Sequence, residues 1–179
     1  MMFHATGRGE RTWPGGVVRV YDGSGMPEPV SIAKERWNRS GARVRFESVR
    51  RPSDADLVVR VDDAKLLGLC GRDCLGFSSA IGRPASGRVE VLLLSDLDEP
   101  RPLSVWVTAH ELGHVLGLRH RNGGDCSVMS PRAFETRCSP SAFTGPGADE
   151  DACVPAPRDV DVAAHLYGGA AASRDPRCR

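Results

Sequence analysis

The sequence predicts an α+β fold: a sheet of four to five short strands combined with two helices, then an irregular, disulfide-tethered C-terminal part that closes in a last helix. Three observations carry this. Short apolar and β-branched runs alternate with two stretches at helical period. From residue 121 to 157 the chain turns to Gly, Pro, Ser and cysteine with little periodicity, as coil does. A length of 179 residues suits one domain with a single sizeable core.

Residues 1–16 read as a flexible arm ending in Pro14-Gly15-Gly16, and residues 17–179 as one domain with an upper part (17–117) and a lower part (118–179). Val17 to Tyr21 alternates as a strand, broken by Asp22-Gly23-Ser24-Gly25. Val30 to Arg39 places Ile32, Ala33, Arg36 and Trp37 at helical spacing, and Ser40-Gly41 stops that helix. Val44 to Val49 and Leu57 to Val61 follow as strands, the second a continuous apolar run suited to a central place. Cys70 to Cys74 closes a small loop. Leu75 to Ile81 and Gly87 to Ser95 are two further strands, and Leu103 to Leu116 is the second helix, with Val105, Ala109, Leu112 and Leu116 as its apolar stripe. The last helix runs near Asp159 to Tyr167, with Asp159 close to its N-cap and Gly168-Gly169 beyond its end.

The second helix carries the chemistry. His110-Glu111-Leu112-Gly113-His114-Val115-Leu116-Gly117-Leu118-Arg119-His120 reads HExxHxxGxxH. Residues four apart share a helix face, so His110 and His114 point at a common place. Gly117 can take the left-handed C-terminal cap and swing the chain back, so that His120 completes three protein ligands, the number found at a catalytic rather than a structural zinc. Glu111, about 100° further round the helix, is placed to act on water as a general base.

With this motif, followed by Cys126-Ser127-Val128-Met129-Ser130-Pro131, the chain resembles the metzincin zinc endopeptidases, whose signature is the extended histidine motif and a later Met-containing turn. Pro two places after Met129, and a final helix ending Leu166-Tyr167-Gly168, are similar to the matrixins. Val107 to Glu111, Gly113 to Leu118 and the Cys126-Ser127, Met129-Ser130 and Cys138 pattern are similar to the snapalysins, small secreted bacterial proteases that use Asp as third ligand where this chain has His120. The resemblance implies a zincin-like twisted mixed sheet and Met129 beneath the metal. It also implies that Gly76, Phe77, Ser78, Ser79 and Ala80 form an edge strand that pairs with an extended substrate, and that Cys126 is bonded to Cys138. Ser130 to Cys138 would wall the pocket for the residue after the scissile bond. Asp96, Asp98 and Glu99, or Asp149, Glu150 and Asp151, offer oxygen ligands for calcium, although solvated loop acids are the more ordinary reading.

Composition sets the remaining bounds. With 24 basic and 23 acidic residues, nothing calls for nucleic acid or a membrane surface, and a monomer acting on peptide or protein is expected. An even count of six cysteines without zinc-finger spacing points to disulfides in an oxidising compartment; the count allows fifteen connectivities, among which Cys70–Cys74 and Cys153–Cys178 are the other pairs expected. Met1 to Gly16 has no apolar leader-like run, so the expected secreted enzyme would have lost its leader; the alternative is reduced cysteines and a place inside the cell. The function expected is zinc-dependent peptide hydrolysis. The alternative is a zinc-containing binding or toxin-like module without general proteolytic turnover, whose motif would look the same.

Overall fold

The computed structural model describes residues 11–98, 101–121, 127–131 and 154–172. Its elements are β1 (Val17–Gly23), α1 (Pro27–Arg39), β2 (Arg45–Ser48), β3 (Leu57–Val61), α2 (Asp63–Cys70), β4 (Gly76–Ser78), β5 (Val89–Leu93), α3 (Arg101–Val115) and, closing the described chain, α4 (Pro157–Tyr167). The fold is α+β. Its five strands form one mixed sheet in the order β2-β1-β3-β5-β4, parallel throughout except for β4, which runs antiparallel to β5 and forms one edge.

Alternation along the strands decides which side is covered. Val18 and Val20, Leu57 and Val59, and Val89, Val91 and Leu93 all enter one core with Val30, Ala33 and Trp37 of α1 and Ala109, Leu112 and Val115 of α3. Trp37 is fully buried and its indole N–H donates to the Ala109 carbonyl at 3.0 Å, which fixes α1 against the middle of α3. On the other face Arg60 and Lys65 both pair with Glu90, and Leu66 of α2, Cys74 and Leu92, with Phe77 and Leu94 packed against them, make a small second cluster.

Three expectations need correction. A fourth helix, α2, stands over Asp63–Cys70, a stretch for which no element was expected, because eight residues with one buried side chain, Leu66, show no readable period. Asp62 caps it by accepting from the Lys65 N–H at 3.0 Å. The strand expected over Leu75 to Ile81 pairs only from Gly76 to Ser78. The last helix starts at Pro157, so Asp159 sits inside its first turn, from where its carboxylate accepts the Ala156 N–H at 3.1 Å.

Within residues 11–16, the end of the expected flexible arm, Trp13 and Gly16 are buried while the others are exposed. Trp13 is buried, its indole N–H donates to the Val115 carbonyl at 2.7 Å, and its backbone N–H reaches the Tyr167 hydroxyl at 3.4 Å. Tyr167 in turn donates to the Leu116 carbonyl at 2.9 Å. Two carbonyls at the C-terminal end of α3, those of Val115 and Leu116, are satisfied in this way by the two ends of the described chain. No helix among the described residues is long and apolar enough to cross a membrane.

Candidate metal centre

His110 and His114 are both buried on α3, and each has one ring nitrogen tied to backbone. His110 Nδ1 lies 2.6 Å from the Val128 carbonyl, and His114 Nδ1 lies 2.8 Å from the Leu118 carbonyl. A carbonyl only accepts, so both Nδ1 atoms carry the proton and both Nε2 atoms present a lone pair. Burial, followed by the neighbouring histidines, drives the His110 pKa well below its ordinary value; burial alone dominates in bringing His114 down to about 4. Both imidazoles are therefore neutral at neutral pH, the form that binds metal.

The third imidazole arrives through the helix end. Gly117 has φ of 101°, its N–H donates to the His114 carbonyl at 2.9 Å, and the Leu118 N–H donates back to Gly113 at 3.0 Å, a glycine-terminated Schellman cap. That turn presents the Leu118 carbonyl to His114 and returns the chain, so that His120 Nε2 stands 3.1 Å from His110 Nε2 and 3.0 Å from His114 Nε2. At most one of these contacts can be bridged by a proton on His120; the remaining lone pairs face each other. A cation resolves that conflict. Nitrogen ligands about 2.0–2.1 Å from a tetrahedral ion lie roughly 3.3 Å apart, close to the spacing found. Among the described residues, these histidines are the group able to hold a metal ion.

Glu111, next on the helix, is 4% exposed, and burial pushes its carboxyl up to about 8. Its Oε2 is buried with no hydrogen-bond partner among the described residues. Such an oxygen is costly unless it meets solvent or a positive charge, which fits a site built to receive a cation and its water. The strand β4 forms one side of this carboxylate: a β-carbon on Gly76 would come within 2.8 Å of Glu111 Oε1.

The expected Met129 is fully buried, and its sulfur packs on Gly113 of α3, one residue before His114; a β-carbon at Gly113 would collide with it. The turn that carries Met129 is held by α4. Buried Asp159 accepts from the Ser127 hydroxyl at 2.5 Å and the Val128 N–H at 2.8 Å, while the Val128 carbonyl receives His110. Sequence reasoning missed Asp159 and Ser127 as supports of the site, and it missed Trp106, whose ring stacks on His110 at 5.2 Å between centroids. An Asp inside an otherwise apolar buried helix face is the one signal that pointed to such a role.

Of the residues expected to bind substrate, Gly76, Phe77 and Ser78 form the edge strand, Phe77 packing into the smaller cluster. Ser79 continues the pairing through its N–H to the Glu90 carbonyl at 2.9 Å, and Ala80 accepts the Ser78 hydroxyl at 2.8 Å. Cys70 and Cys74 are disulfide-bonded. Cys126, Cys138, Cys153 and Cys178, the segment 132–138, and Glu99, Asp149, Glu150 and Asp151 lie outside the described residues, as does the side chain of Asp98. No protein-family model matches the chain, and a search of curated proteins gives no match.

Proposed function

We propose that the chain is a zinc-dependent endopeptidase of the metzincin type. The observation that carries this reading is the convergence of three imidazoles, two of them with tautomers set by backbone carbonyls, beside a buried carboxylate with an unsatisfied oxygen. His110, His114 and His120 would hold the ion. When bound, zinc supplies a Lewis acid that polarises a carbonyl and brings the pKa of water toward about 7.

The chain's own groups then account for the proton. With a metal dication held by the three histidines, Glu111 would be in its carboxylate form at neutral pH, since the nearby positive charge would offset the cost of its burial. Glu111 takes a proton from the attacking water as its oxygen bonds to the peptide carbonyl carbon, and gives that proton to the amine nitrogen as the C–N bond breaks. Pairing of an extended peptide with the open edge of β4 would lay the scissile bond along this carboxylate, using main-chain hydrogen bonds that demand little of the substrate sequence. The Cys70–Cys74 disulfide supports an oxidising, extracellular setting.

Glu111→Ala tests the reading. It should retain fold and zinc while losing about 10²- to 10⁴-fold in hydrolysis. A variant that keeps most of its turnover removes Glu111 from the mechanism.

A further inference from the structure

Behind His120 lies a cavity of about 400 Å³ that the chemistry above does not use. It is a partly open cleft between the turn after α3 and the half-exposed side of α4 that carries Val162, His165 and Leu166. His120 is one wall of it, whereas His110, His114 and Glu111 are not, so it forms a compartment adjoining the metal centre from the third ligand's side. Its volume falls in the range of pockets that enclose a small ligand or a large side chain.

The lining has two characters. Leu118, Val162 and Leu166 supply an apolar surface, while Arg121 and His165 bring nitrogen donors to the same cavity. The buried acid that feels the charge of Arg121 is Asp159, and its two oxygens are already engaged by Ser127, Val128 and Ala156. An arginine and an imidazole beside an apolar surface match a ligand that is itself apolar with a carboxylate next to it. A lysine-bearing ligand would meet like charge at Arg121.

We propose that this cavity is a substrate subsite for a large apolar side chain with a neighbouring acidic residue. The apolar group lies against Leu118, Val162 and Leu166, and the carboxylate is received by Arg121 and His165. The inference rests on the peptidase reading of the adjoining centre, and it makes Arg121 and His165 specificity-determining residues rather than catalytic ones.

The test uses the full chain carrying Glu111→Gln, so that peptides bind without being cut. Blocked octapeptides of Gly and Ala, with a Phe-Glu pair walked along the sequence, are compared by titration calorimetry with the same set carrying Phe-Lys. At one register Phe-Glu should bind about tenfold more tightly. Arg121→Glu should abolish or reverse that preference at unchanged zinc content, and His165→Ala, a separate exposed position, should weaken it. The proposal is overturned if no register prefers Phe-Glu, or if both variants keep the preference intact. Register-dependent binding by a wild-type chain that cleaves no protein would sustain the subsite and reject the peptidase reading; cleavage without any such preference would do the reverse.

Discussion

Gly76 of β4 lies flush against Glu111 of α3: the strand backbone comes so near that an added methyl group would stand 2.8 Å from the carboxylate oxygen and equally close to Val107. The edge of the sheet and the proposed general base are therefore one fitted unit, and the fit depends on the absence of a side chain.

Gly76→Ala should for this reason damage turnover far more than folding. Displacing Glu111 by even an ångström is expected to cost about 100-fold in kcat/KM. Zinc content should not change, because no histidine is touched. Peptide hydrolysis and bound zinc measured on the same sample check this, and full activity would show that the contact has no bearing on Glu111.

Asp159 holds the Val128 peptide, and Val128 holds His110. Asp159→Asn keeps the shape but removes the charge and leaves one acceptor oxygen where two now serve Ser127, Val128 and Ala156. Zinc affinity should fall by about 10- to 100-fold, the size usual when a group behind a metal ligand is lost. Competition with a chromogenic chelator measures it; an unchanged affinity would mean that His110 is oriented by α3 alone.

Gly113 and Met129 share one space. Gly113→Ala should destabilise the fold by about 1–3 kcal/mol through overpacking. Adding Met129→Ala should relieve part of that loss, so the two changes combine non-additively in a denaturant double-mutant cycle.

Tyr167 joins α4 to the end of α3, and burial raises its phenol from 10.0 to about 12. Between those values the folded chain keeps a proton that the unfolded chain has lost. The contribution of this group is thus present below pH 10 and is lost as pH rises through about 12. Thermal melts of wild type across that window should fall more steeply than those of Tyr167→Phe, and parallel slopes would contradict the assignment.

Much of this arrangement is legible in the sequence where local rules act. The period of α3, the spacing of His110 and His114, and the glycine that ends the helix each follow from neighbours along the chain, as do the apolar run of β3 and the helix stripe of α1. What could not be read depends on segments meeting from far apart. Nothing local says that Gly76 abuts Glu111, or that Asp159 reaches Ser127 and Val128; those contacts arise only once β4 has packed on α3 and α4 has met the turn that carries Met129. The short helix α2 escaped for the opposite reason, since a single buried leucine leaves no pattern to find.

The central claim is that three imidazoles hold a zinc ion that serves hydrolysis. It is tested most directly by digesting unfolded casein with the purified chain while counting bound zinc in the same preparation. One zinc per chain is expected, with cleavage that stops on chelation and returns on adding zinc. A zinc-loaded, folded chain that leaves casein intact, or cleavage that persists after the metal is stripped, would contradict the account.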